Sequence, residues 1–125
     1  MKSSLAFKSL VMTLVLLATA FSANAHHGWS GNGEEQLELT GVVETPLSLA
    51  GAHATMQIRA DGQLWDITLA PPARTERAGL KVGVIPVGAQ VTVFGHRNRD
   101  EKRFEIKTER VAHAGKTYNV YPDRE

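Results

Sequence analysis

The sequence predicts a mainly β domain: a small barrel of five to six strands, with one short helix between the third and the fourth. Three observations carry this reading. Hydrophobic residues recur with period two in short runs, tight-turn glycines punctuate the runs, and a proline-initiated helical stretch follows the third.

The first run, Gln36 to Glu44, puts Leu37, Leu39 and Val43 on one face, with Gly41 among them as the kind of bend or bulge that small barrels use. A loop with Pro46 and Gly51 follows. The second run, His53 to Arg59, sets Ala54, Met56 and Ile58 against His53, Thr55 and Gln57, and Asp61-Gly62 signals a tight hairpin. The third, Leu64 to Leu69, gives Trp65, Ile67 and Leu69 a common face and stops at Pro71-Pro72. Residues Pro72 to Gly79 form two turns of helix, with proline favoured at the start and Gly79 suited to the C-cap. After a glycine-bounded loop, Ala89 to Gly95 alternates Ala89, Val91 and Val93 against Gln90, Thr92 and Phe94. The charged stretch HRNRDEKR leads to a fifth strand, Phe104 to Val111, and Ala114-Gly115 turns the chain into a short last strand, Thr117 to Tyr121. Trp65, Phe94 and Phe104 are expected in the core, and Trp29 over a barrel end, pinning the N-terminus. Three strands, a helix and two more strands is the order of an OB-type barrel. A generic small α+β roll has the same order.

The first 25 residues are expected to be a secretory signal peptide rather than part of the fold. Lys2 and Lys8 form a basic start, Leu10 to Phe21 an apolar run, and Ala23 and Ala25 a small-x-small end, so cleavage falls between Ala25 and His26. The run is shorter than the ~20 apolar residues a membrane span needs. Residues 26–125 then make one small exported domain, expected in the periplasm and free of the membrane once the leader is removed. Without Lys2 and Lys8 the fourteen basic residues become twelve against thirteen acidic ones, a net charge of −1. A near-neutral domain offers no general pull on nucleic acid. The chain has no cysteine, which excludes disulfides, thiol chemistry and thiolate metal sites.

Catalytic constellations are thin, and no enzyme is expected. Ser30 in GWSGNG follows no strand, so it does not sit in a nucleophile elbow, and the same glycines open no helix that would cradle a phosphate. Arg97, Arg99, Lys102 and Arg103 are interleaved with Asp100 and Glu101, as in an exposed hairpin tip.

The histidines are the remaining candidates. Cleavage before His26 gives it a free α-amine beside its imidazole, and amine and Nδ1 of one residue can chelate a single ion. One or two more imidazoles would complete a nitrogen-rich site suited to Cu(II) first, with Ni(II) or Zn(II) behind it. The candidate ligands are His26 and His53, with His27 and His96 as auxiliaries. His113, at the final turn, is expected to be a surface or hydrogen-bonded histidine. Met56 is the one methionine after the leader, which excludes a thioether-rich Cu(I) site.

The start HHGWS, the strand LTGVVE, then HATMQI, WDITLAPPAR, RAGL, VTVFG and ERVAHAGKT together resemble the DUF6152 family, small exported bacterial proteins without an established function. The resemblance spans nearly all of the chain after the leader and implies an OB-like barrel. The family pattern has Asn-Pro-His before the second strand, where this chain has Gly51-Ala52-His53. The histidine carries over to His53, and His26 and His27 carry over directly, while the orienting Asn-Pro turn does not. The resemblance brings no ligand set, substrate or reaction. Two functions follow as expectations: a periplasmic copper-binding protein in metal handling or tolerance, or a non-catalytic OB-like ligand-binding or envelope-stress module without metal.

Overall fold

The structure, a computed structural model, describes residues 29–124. The expected leader, its cleavage point at Ala25 and His26, and His27 lie outside the described residues.

Six strands and one helix follow the chain as β1 (Leu37–Ser48), β2 (Thr55–Ala60), β3 (Gln63–Thr68), α1 (Pro72–Arg77), β4 (Gln90–Arg97), β5 (Glu105–His113) and β6 (Lys116–Asn119), with a last 3₁₀ turn at Pro122–Arg124. β1 is the hub: β2 pairs with it antiparallel, and so does β4. β3 pairs with β2, and β5 with β4. A short parallel ladder, Asp66 with Glu105, Ile67 with Ile106 and Thr68 with Lys107, closes the ring. The result is a closed mixed five-stranded barrel with β6 added as a sixth strand on β5. This closure decides for the OB-type barrel over an open α+β roll.

The interior follows from the alternation. Val43, Ile58, Ile67, Val91, Val93, Ile106 and Val111 are all at most 1% exposed and share the inner face. The Asp61-Gly62 and Ala114-Gly115 turns both have two consecutive positive φ angles (49° and 77°, 50° and 78°), the tight reversal that matches strand twist. Six residues are too few to hold α1 alone. It is anchored by the fully buried Thr75, whose Oγ1 donates to the Ala70 carbonyl at 2.9 Å.

Three expectations change. β1 runs past Glu44 to Ser48, because Pro46 falls within the register irregularity between Thr45 and Ser48 and does not end the strand. Phe94 is not in the core: it shares the outward parity of Thr92, with the Arg110 guanidinium 4.3 Å from its ring centroid. Phe104 is 36% exposed, because it precedes β5 and meets Trp65 edge-on from outside the ladder.

The contact of β4 with β5 departs from regularity in a way that builds the site. Phe94 pairs with Arg110 but Gly95 pairs with Thr108, so Glu109 has no partner on β4. This is a β-bulge, which adds a residue to one strand and re-aims its side chain. The strands press so close here that a Cβ on residue 95 would lie 2.1 Å from the Lys107 carbonyl oxygen. Only glycine fits.

Candidate functional site

The bulge sends Glu109 onto the outer face of the barrel beside His96, the residue after Gly95. Both are buried, at 2% and 8% exposure, and His96 Nε2 lies 2.6 Å from Glu109 Oε1. The second carboxylate oxygen accepts from Gln36 Nε2 at 2.7 Å. Arg124 Nε at 3.6 Å and Arg110 Nη1 at 3.9 Å add charge without hydrogen bonds. The bulged carbonyl of Glu109 accepts from the backbone N–H groups of both Val120 and Tyr121, which folds the C-terminal turn back over the same place.

The N-terminal segment completes the cluster. His96 Nδ1 lies 2.8 Å from the Gly33 carbonyl, and Asn32 Nδ2 donates to the His96 carbonyl at 2.9 Å. Trp29 stands edge-on to His96 and to Tyr121, with ring centroids 5.7 and 5.2 Å away. Two cations lie over its face, Arg124 at 4.0 Å and Lys107 at 4.7 Å from the centroid. Trp29 thus packs against the barrel, and with Asn32 and Gly33 it holds the segment 29–33 there. Burial holds the Lys107 ammonium below its ordinary 10.5, with the Glu105 carboxylate pulling it up and Arg124 pushing it further down. Burial raises the Tyr121 phenol above its ordinary 10.0, against the opposing pull of Arg74 and Arg124. A recess of about 300 Å³, lined by Trp29, Glu34, His96 and Arg124 among others, opens beside His96.

His96 therefore spends both ring nitrogens inside the fold, and in this arrangement it has no lone pair for a metal. His53 differs. It is half-buried ahead of β2, and its Nδ1 meets the Leu69 carbonyl at 2.8 Å. A carbonyl only accepts, so Nδ1 carries the hydrogen, and in the neutral ring Nε2 keeps its lone pair. His113 makes a longer contact of the same kind, 3.2 Å to the Gln90 carbonyl, at the opposite end of β5 from the Lys107–Thr68 pairing. Among the described residues, no three of His, Cys, Asp and Glu gather where they could hold a metal ion. The structure brings His96 to Trp29 and Glu109, and does not bring it to His53.

A separate groove of about 540 Å³ runs between the start of β1 and the loop after β4. Leu37, Leu39 and Trp65 form its apolar side, and Arg97 and Arg99 stand at its edge. The Arg97 guanidinium lies 5.2 Å from the centroids of both Trp65 and Phe104.

Sequence reasoning missed Glu109, Gln36 and Arg124. A signal for Glu109 was present: the inward-facing positions of β5 run Ile106, Thr108, then Val111, with Glu109 outside that run, and the step from two to three marks an extra residue.

The family model of DUF6152, described as a family of unknown function, matches residues 13–107. The chain belongs to the DUF6152 family. The match ends within β5, so Glu109 and the C-terminal turn of this DUF6152 chain lie past the matched residues. No curated protein matches the chain. Among solved structures it is similar to the ZRD-deleted mutant of TiaS in complex with agmatine, at 17% identity and a TM-score of 0.50, over 69% of this chain and 26% of that one. Apo TiaS, a tRNAIle2 agmatidine synthetase, matches at 18% identity and a TM-score of 0.46, over 62% of this chain and 17% of that one. The chain spans about a quarter of the length of the first, and that likeness is one of fold alone.

Proposed function

We propose that this protein is an exported, non-catalytic, OB-like protein of the periplasm that binds a divalent metal, Cu(II) first, through His26 and His53. The carrying observation is the His53 ring. Its Nδ1–H is committed to the Leu69 carbonyl at 2.8 Å, which fixes the tautomer and leaves Nε2 as the donor. A backbone carbonyl behind a ligating histidine orients the ring and raises its basicity in this way.

His26 supplies the other half once the leader is cut after Ala25. Its α-amine and Nδ1 then chelate one ion, with His27 beside it as an auxiliary. Trp29 fixes the root of this arm, and the three residues from His26 to Trp29 span at most ~11 Å. Lys107, whose Nζ lies over Trp29, pairs in register with Thr68, next to the Leu69 that holds His53. The root of the arm and His53 therefore flank the same β3–β5 seam. The test is a Cu(II) titration of protein beginning at His26, followed by calorimetry, for the parent, His53→Gln and His113→Gln. His53→Gln weakens binding by at least roughly tenfold, a difference of 1.4 kcal/mol, and His113→Gln leaves it unchanged. Equal affinity in parent and His53→Gln rejects His53 as a ligand.

The second reading is an OB-like ligand-binding module without metal, supported by the groove beside Trp65. Its volume falls in the range of small-molecule sites, and its apolar side, with Arg97 and Arg99 set against Glu35 and Glu101 at the edge, suits a small amphipathic ligand. Quenching of Trp65 fluorescence by an aryl carboxylate, lost in Arg97→Gln, would favour this reading.

A further inference from the structure

Both ring nitrogens of His96 point at oxygens. The Gly33 carbonyl, 2.8 Å from Nδ1, can only accept, so Nδ1 carries a hydrogen. In a neutral ring Nε2 then has only a lone pair, and an ionised carboxylate has only lone pairs to offer. At the observed 2.6 Å these would repel. The contact closes with one proton between Nε2 and Oε1, carried on Nε2 as imidazolium facing carboxylate. We propose that His96 and Glu109 form a one-proton clasp that fastens the N-terminal segment to the barrel, and that loss of this proton opens it.

The geometry fixes what the clasp holds. His96 grips Gly33 through Nδ1, receives Asn32 Nδ2 at its carbonyl, and presents its ring edge to Trp29. The Asn32 amide in turn bonds back to the Trp29 carbonyl at 3.0 Å. The charged and titratable groups around the pair come from every element packed on it: Arg110 and Lys107 on β5, Tyr121 and Arg124 from the C-terminal turn, and Glu34 at the rim of the recess. The direction of the response follows from the proton count. Rising pH removes the shared proton, sets lone pair against lone pair and pushes the ring from the carboxylate. Falling pH adds a second proton to the carboxyl group, whose remaining carbonyl oxygen still accepts from Nε2–H. The contact therefore opens when that proton is lost and stays closed when a second is added.

This inference stands apart from the metal reading, since neither His26 nor His53 enters it. The test uses the full chain from His26, labelled with nitrogen-15 and free of metal. Ring proton–nitrogen correlations of His96 are followed with pH, together with amide exchange at residues 29–33 corrected for intrinsic base catalysis. Both His96 nitrogens carry hydrogen in the closed form. Loss of the Nε2 hydrogen coincides with exchange at residues 29–33 becoming about tenfold faster, the scale of one lost charge-assisted hydrogen bond.

Glu109→Gln separates the proton from the contact. Its amide N–H₂ donates to a neutral Nε2, and its oxygen accepts from Gln36, so the clasp closes without the extra proton. In that variant the pH response at residues 29–33 disappears while the barrel amides keep their protection. A single ring hydrogen on His96 with residues 29–33 still protected overturns the proposal. So does a Glu109→Gln variant that keeps the parent's pH response.

Discussion

Replacing Gly95 by alanine places a methyl group 2.1 Å from the Lys107 carbonyl oxygen, 2.8 Å from Thr108 Cα and 2.9 Å from Ile106 Cγ2. Two of the three obstacles are backbone, so no rotamer change relieves them, and β4 must move from β5 by roughly 1 Å, since non-bonded contacts start near ~3.3 Å. Overpacking of this kind costs about 3 kcal/mol, offset by about 0.5 to 1 kcal/mol from the reduced chain entropy of alanine over glycine. The net loss is about 2 to 2.5 kcal/mol, a fall of roughly 10 to 20 °C in Tm for a domain of this size. The measurement is urea unfolding monitored by tryptophan fluorescence, with Gly33→Ala as the control. Around Gly33 the nearest atom to an added Cβ is Arg97 O at 3.6 Å, an ordinary contact, so that variant stays within about 0.5 kcal/mol of the parent. Displacing β4 also moves His96 from the bulged Glu109, so the native-state Trp29 signal changes in Gly95→Ala and not in Gly33→Ala. A loss below about 1 kcal/mol in Gly95→Ala would refute the close crossing that aims Glu109.

Trp29→Ala empties the space between His96 and Tyr121 and lowers stability by about 3 kcal/mol, read from the same urea curves; an unchanged midpoint would mean that Trp29 does not hold segment 29–33 on the barrel. Absorbance titration shows one phenol, lost in Tyr121→Phe, ionising above the ordinary 10.0 of tyrosine. Because the folded state keeps that proton longer than the unfolded chain, the phenol's contribution to stability is present below pH 10 and is lost as pH rises further, so alkaline unfolding is less steep in Tyr121→Phe.

The inner faces of β2, β3 and β4 were legible because alternation at Ala54, Met56, Ile58, Ile67, Val91 and Val93 is local and one side is buried. The two hairpins were legible because Asp61-Gly62 and Ala114-Gly115 satisfy a backbone requirement that few residue pairs meet. The parallel closure of β3 on β5 was not, since nothing local in Asp66 to Thr68 names Glu105 to Lys107 as partners. Phe94 and Phe104 were misjudged by residue type: both find cation partners on the outside, and Phe94's own strand parity pointed there. The His96–Glu109 pair stayed hidden because it depends on a bulge thirteen residues after the histidine. Glu109 reads locally as one more charge in TERV. His53 and Trp29 were legible as candidates, but not the Leu69 carbonyl that sets one or the Lys107 and Arg124 cations that cover the other.

In the proposed function, removing the leader turns His26 into a two-nitrogen ligand on an arm rooted at Trp29. The most direct measurement compares Cu(II) affinity of protein beginning at His26 with the same protein carrying one extra N-terminal alanine. The added residue moves the amine off His26 and leaves the barrel, Trp29 and His53 untouched. The extended protein is expected to bind at least roughly tenfold more weakly, a loss of 1.4 kcal/mol or more. Equal affinity in the two would contradict it.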